Sequence, residues 1–156
     1  MAKPGNADPA DIRNWRRRPD GTTTSGRLEP HDPARLAAVG VRHVVNLALD
    51  SHPEALADEQ ALLAAQGIGY THIPVPFDAP TAEHIARLKA TLEEAEGPVH
   101  VHCIMNWRVT AFMYLLDLEA GVPEPEARAR LLDVWDPFTS DEPAARPWRE
   151  LLSQRR

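Results

Sequence analysis

The 156 residues are 43% apolar and 26% charged, with a formal net charge of −6 and a single cysteine. That length and balance suit one globular domain with one core, and the acidic surplus argues against a general nucleic-acid or anionic-membrane binder, which needs a broad basic face. One cysteine cannot close an internal disulfide, and no apolar run has the length of a signal peptide or a membrane span, so the expected location is cytoplasmic.

Residues 1–21 are rich in Pro, Gly, Asp and Arg and show no hydrophobic period. They are expected to form an N-terminal arm, draped on the surface or partly disordered, ahead of a single domain over 22–156. Arg13, Trp15, Arg16, Arg17 and Arg18 within it either recruit an acidic or phosphorylated partner or form a solvated face pinned by Trp15. Composition favours the second, and the arm is left out of the site.

Thr22–Thr24 is a short β-prone run ending at Ser25-Gly26. Asp32-Pro33 predicts an N-cap before a proline at the first helical position, with Gly40 closing that helix. Val41–Leu49 reads as an interior strand. Ser51 and Glu54 fit a capping box that opens a helix through Leu56, Leu62 and Leu63 and stops at Gly67. Ile68–Val75 is a further strand, and Asp78-Ala79-Pro80-Thr81 starts a helix with Ile85, Leu88 and Leu92 on its apolar face. Gly97-Pro98 then leads into the run Val99-His100-Val101-His102, and Trp107–Leu118 reads as a helix. Two more helices, Pro123–Trp135 and about Ala144–Gln154, look like packing elements that turn Leu131, Leu132, Trp135, Trp148 and Leu151 inward. Strand and helix alternate, so the predicted fold class is α/β: a mainly parallel sheet of about four strands flanked by helices, with ligands bound past the strands' carboxyl ends. By that rule the loops near Asp50, Asp78 and Cys103 share one rim, which the turn at Ser25 can join.

Cys103 lies in the turn between a buried strand and a helix. Backbone N–H groups there have no intrahelical partner and the macrodipole favours negative charge, so the turn is an anion site, and the same field favours a thiolate over a thiol. The cysteine as an inert buried thiol is the plainer alternative. His100, between two valines, is most simply a satisfied core histidine, and two histidines and one cysteine on a strand are weak grounds for a metal. No metal and no cofactor is expected.

Val-His-Cys followed by a short loop, an Arg and a hydroxyl residue opening a helix resembles the phosphate loop of the cysteine-dependent tyrosine and dual-specificity phosphatases. Thr24-Ser25-Gly26-Arg27, the Asp32–Gly40 helix, Val41–Leu47 and Ile73-Pro74-Val75 look like corresponding stretches of small bacterial phosphatase-like proteins, so the resemblance covers about residues 22–120. It implies a phosphotyrosine-phosphatase-like fold with Cys103 as nucleophile and Arg108 as phosphoryl clamp. Asp78 would be general acid, Asp50 being the runner-up, and Thr110 would assist release. It further implies a phosphate cradle from Ile104, Met105, Asn106, Trp107, Arg108 and Val109, with His102 and Ser25 supporting the loop. As a plain turn residue, Asp78 is equally a helix N-cap.

The family pattern has five residues between Cys and Arg; here four intervene, Ile104 to Trp107. Either the loop is one residue short and Arg108 is the clamp, or loop length is kept, Asn106 takes the family's glycine, Thr110 its Ser or Thr, and Val109 the Arg position. The second is preferred, because Asn best tolerates a left-handed turn, and it leaves Arg108 about 100° off around the helix. Three functions stay open: a phosphomonoesterase, weak if the clamp is displaced; a phosphate- or phosphoprotein-binding module; and a rhodanese-like or redox thiol protein. The expected partners are a phosphorylated protein or small phosphate ester, with inorganic phosphate or sulfate in the loop, and neither nucleic acid nor membrane.

Overall fold

Short β-branched runs become strands, and the amphipathic stretches between them become helices. In chain order these are β1 (Arg16–Arg17), β2 (Thr23–Ser25), α1 (Asp32–Ala38), β3 (His43–Asn46), α2 (Glu59–Ala64), β4 (Gly69–His72), α3 (Ala82–Glu94), β5 (Val99–His102), α4 (Trp107–Glu119), α5 (Glu124–Leu132), a 3-10 turn (Pro143–Ala145) and α6 (Arg146–Ser153). The computed structural model describes residues 7–153; the beginning of the arm and the predicted helix end at Gln154 lie outside the described residues.

The sheet order is β1-β2-β5-β3-β4. β2, β5, β3 and β4 run parallel, with Asn46 beside His102 on one side and Ser25 beside it on the other. Four parallel strands are what the alternation predicted. The fifth, β1, comes from the arm and pairs antiparallel with β2. Cys103 therefore follows the carboxyl end of the middle strand, the position with the most neighbours to shape a site.

Each face of the sheet carries its own core. On one, Leu88 of α3, the buried residues of α4, Ala127 and Leu131 of α5, and Trp148 and Leu152 of α6 pack on Val45, Val99 and Val101. On the other, Leu36, Val39, Val44, Leu63 and Ile68 close over Ile12 and Trp15. Ile12 and Trp15 bring the arm into the core, so its described part is not a detached surface strap. α4 is apolar nearly all round its first turns and is enclosed by both neighbours and sheet, as a helix of that composition must be.

Three local expectations fail for identifiable reasons. The Ser51–Glu54 capping box does not form, because the Glu54 carboxylate is taken by Arg13 (3.1 Å) and Arg27 (3.5 Å); the helix begins only at Glu59, after a left-handed Asp58. Asp32 sits inside α1, where it accepts from Glu29 N (2.7 Å) and pairs with Arg35 (2.9 Å), and His31 is the N-cap. Leu132, predicted inward, is 44% exposed, because α5 turns Ala127 and Leu131 to the core instead.

Since Trp15 is buried and stacks on His100 with ring centroids 5.0 Å apart, Trp15→Ala should cost about 3–5 kcal/mol, while Leu132→Ala should stay within about 0.5 kcal/mol. Urea unfolding of the two variants measures this; a wild-type midpoint for Trp15→Ala would show that the arm contributes no core.

Candidate active site

The turn after β5 is built so that its carbonyl groups face outward. Ile104 O accepts from Arg27 N (2.9 Å), Met105 O from Asn14 Nδ2 (2.9 Å), and Asn106 O from Thr110 N (3.1 Å) and the Thr110 hydroxyl (2.7 Å). Trp107 O accepts from Trp135 Nε1 (3.0 Å). Asn106 provides the reversal with φ 66°, the left-handed conformation its residue type suggested. Gly26 is required beside it: a Cβ there would stand 2.5 Å from Ile104 O.

With the carbonyls occupied from outside, the amides are turned the other way. None of the N–H groups of residues 104–109 donates to a protein acceptor among the described residues. Backbone donors in a mostly buried segment rarely lack partners, and here six in succession do, before and within the first turn of α4. Cys103 stands at the base of this run, with no exposed surface, its own N–H reaching Ser25 O at 3.3 Å.

Two histidines of β5 hold this base differently. His102 Nε2 donates to Glu59 Oε2 (2.5 Å), while Nδ1 lies 3.2 Å from Cys103 O. Glu59, at the start of α2, is buried and is also reached by Asn46 Nδ2 (3.2 Å), which shares its donors with Tyr70 Oη (3.2 Å). Burial pushes the Tyr70 hydroxyl up to about 12, so it stays protonated. On the opposite side, Ser25 Oγ donates to Gly26 O (2.9 Å), which leaves it to accept from His100 Nε2 (2.8 Å), and Thr23 Oγ1 then donates to Nδ1 (2.8 Å). His100 is thus the satisfied core histidine. Burial, reinforced by His102, holds its ring well below the usual histidine value, so it is neutral at pH 7.

Arg108 is 8% exposed, its Nε donating to Val75 O (2.8 Å) and its Cζ lying 5.2 Å from the Phe77 ring centroid. Nη1 and Nη2 make no hydrogen bond among the described residues. Val109, by contrast, is fully buried in the apolar core. The loop therefore combines the two alignments. Asn106 takes the glycine-like conformation, but it is Arg108 that runs along the rim, and an arginine at 109 would enter the apolar cluster. The signal was present in the sequence: Val109, Phe112, Met113 and Leu116 share one helical face.

Asp78 and Asp50 are both exposed on the rim, and Thr81, not Asp78, caps α3, in a reciprocal capping box with His84. The Asp78 turn is fixed by Trp148 Nε1 donating to Phe77 O (2.6 Å), and Phe77, Trp107, Trp135 and Trp148 form an aromatic wall beside the loop. Arg13, Asn14, Glu59 and Trp135, which hold the loop from outside, were not among the residues expected to do so. Among the described residues no group of three or more His, Cys, Asp or Glu is arranged to hold a metal ion.

The neutral state of His100 carries a pH dependence. Its folded value lies below its unfolded one, so the unfolded chain takes up a proton first as pH falls, and this contribution to stability is present above about 6.5 and is lost below it. The loss is about 1.4 kcal/mol per pH unit until the folded ring itself titrates. Urea unfolding between pH 7.5 and 5 should show this slope, and His100→Asn should flatten it; an unchanged slope would mean that His100 is not held neutral.

The family model of the "Beta-lactamase hydrolase-like protein, phosphatase-like domain" matches residues 15–116. Among solved structures, a candidate phosphatase (DUF442) from Shewanella putrefaciens is 29% identical, covering 92% of this chain and 91% of its own, with a TM-score of 0.78. A candidate phosphatase from Neisseria meningitidis (20% identical, 86% and 93% covered, TM-score 0.70) and Pseudomonas aeruginosa TpbA in a Cys-to-Ser form with phosphotyrosine (20%, 85% and 85%, TM-score 0.60) share the fold. No curated protein matches the chain. On a match that spans its sheet, its loop and most of α4, the chain belongs to the family of the phosphatase-like domain of beta-lactamase hydrolase-like proteins.

Proposed function

We propose that this chain is a cysteine-dependent phosphomonoesterase of the tyrosine or dual-specificity type. The observation that carries the reading is the run of six unspent amides over residues 104–109, with Cys103 at its base. Three phosphoryl oxygens need many donors in a small volume, and preorganised amides supply them without reorganisation during reaction. Arg108 adds the charge. Its Nε is spent on Val75 O, which fixes the guanidinium, and Nη1 and Nη2 are left for the phosphoryl oxygens.

In the first step the Cys103 thiolate attacks phosphorus. The P–S bond forms as the ester P–O bond breaks, and the leaving oxygen takes a proton from Asp78. In the second, water attacks phosphorus, the P–S bond breaks, inorganic phosphate leaves, and the proton of the water returns to the Asp78 carboxylate. Thr110 assists by tying the first turn of α4 to the Asn106 carbonyl. The aromatic wall of Phe77 and Trp107 supports a phosphorylated aryl or protein side chain as substrate, and a fold relative seen with phosphotyrosine agrees with a phosphate ester as ligand.

A second reading, a phosphate- or phosphoprotein-binding module, is favoured by one fact: Cys103 is fully enclosed, so a phosphoryl group reaches Sγ only if the roof of the loop moves. Turnover of a generic aryl phosphate separates the two. Cys103→Ser should abolish hydrolysis while inorganic phosphate still binds, and Arg108→Ala should lower kcat/KM about 10²–10³-fold. Hydrolysis retained in Cys103→Ser would overturn the phosphocysteine route; phosphate binding with no hydrolysis by the wild type would establish the binding module.

The rebuilt loop, Arg108→Gly with Val109→Arg, places a guanidinium in the core and should lower both stability and turnover. A gain in turnover from that double variant, measured on the same substrate, would restore position 109 as the clamp.

A further inference from the structure

The outward carbonyls of the loop are held from several directions, and one of the holders, Asn14, lies just before the family match, which begins at residue 15. Asn14 has φ 52°, and Asn106 has φ 66°. These two left-handed asparagines exchange side-chain donors: Asn14 Nδ2 donates to Met105 O (2.9 Å) and Asn106 Nδ2 to Asn14 O (2.9 Å). Asn106 Nδ2 also reaches Thr24 Oγ1 on β2 (3.0 Å). Next to Asn14, Arg13 accepts Gly26 N at its carbonyl (2.6 Å), and its Nη1 lies 3.4 Å from Ile104 O and 3.3 Å from Met105 Sδ.

We infer that Asn14 is a positioning residue of the phosphate cradle: its side chain fixes the Met105 carbonyl outward and thereby aims the amide of residue 106 at the anion. Resting on the reading of the loop as a phosphate site, this adds to that site a segment that sequence patterning assigned to a solvated arm. The physical reason is the rigidity of the peptide plane. The carbonyl of Met105 and the amide of Asn106 belong to one planar unit, so a donor that holds the oxygen outward holds the N–H inward. Met105 O has Asn14 Nδ2 as its only hydrogen-bond donor among the described residues, whereas Ile104 O and Asn106 O each have two. Without Asn14 this one plane is free to turn, and an amide preorganised for phosphate becomes one that must be ordered on binding.

The left-handed backbone at 14 offers a clean variant. Asn14→Gly tolerates φ 52° and keeps the carbonyl that Asn106 uses, so it removes the Nδ2 contact alone. The control is Arg16→Ala, which breaks a contact of the same segment with Asp133 (2.6 Å) but touches nothing in the loop. The readout is the concentration of inorganic phosphate that halves the rate of Cys103 alkylation in the full-length chain, with thermal melting alongside it. Asn14→Gly should need about 3- to 10-fold more phosphate, the worth of one hydrogen bond, and Arg16→Ala should match the wild type. Equal protection in Asn14→Gly and wild type would overturn the inference while leaving the phosphate site intact. An equal loss in Arg16→Ala would also overturn it, by showing a general loosening of the segment. No protection of the wild type by phosphate would overturn the reading of the loop itself.

Discussion

The orientation of four carbonyl groups, those of residues 104–107, is the constraint on which the rest of the site depends. A turn between a strand and a helix has as many acceptors as donors, and it presents a field of one sign only if the other sign is consumed elsewhere. Here the acceptors are met by Arg27, Asn14, Thr110 and Trp135, which come from separate parts of the fold. The amides of residues 104–109 are left without a protein acceptor among the described residues. The parallel sheet explains why separate parts can contribute. Because β5 is the middle strand, its carboxyl end is bordered by the ends of β2 and β3, and the loops that follow them reach the turn from both sides.

The outer contacts form a shell with its own logic. His102 and Glu59 place a buried hydrogen-bonded pair beside the cysteine, with Asn46 reaching the second Glu59 oxygen so that neither oxygen is stranded. His100, one turn of the pleat away, is neutral and sandwiched between two hydroxyls under Trp15. The two histidines look alike in sequence, but His102 braces the loop through its hydrogen bond to Glu59, and His100 fills the core.

Much of this was legible in advance. Alternating strand and helix patterns gave the parallel sheet, and the position of Cys103 at its centre followed from the Val99–His102 run. The residue type at 106 foretold a left-handed turn. What was not legible came from sequence-distant partners. Glu59, Trp135, Arg13 and Asn14 meet the loop only after the chain has folded, and nothing in their local sequence marks them. The misplaced start of α2 has the same cause: Glu54 satisfied a local pattern, but Arg13 and Arg27 competed for its carboxylate and won. The alignment that puts Val109 at the family's arginine position rests on spacing, whereas Val109 shares a buried helical face with Phe112 and Met113.

The central claim, that residues 104–109 form one preorganised cradle, is tested most directly by following backbone amide resonances while inorganic phosphate is added. The account predicts that the amides of 104–109 shift together along one binding curve, while those of β3 and β4 hold still. Shifts scattered over the molecule, or amides 104–109 that do not respond, would contradict it.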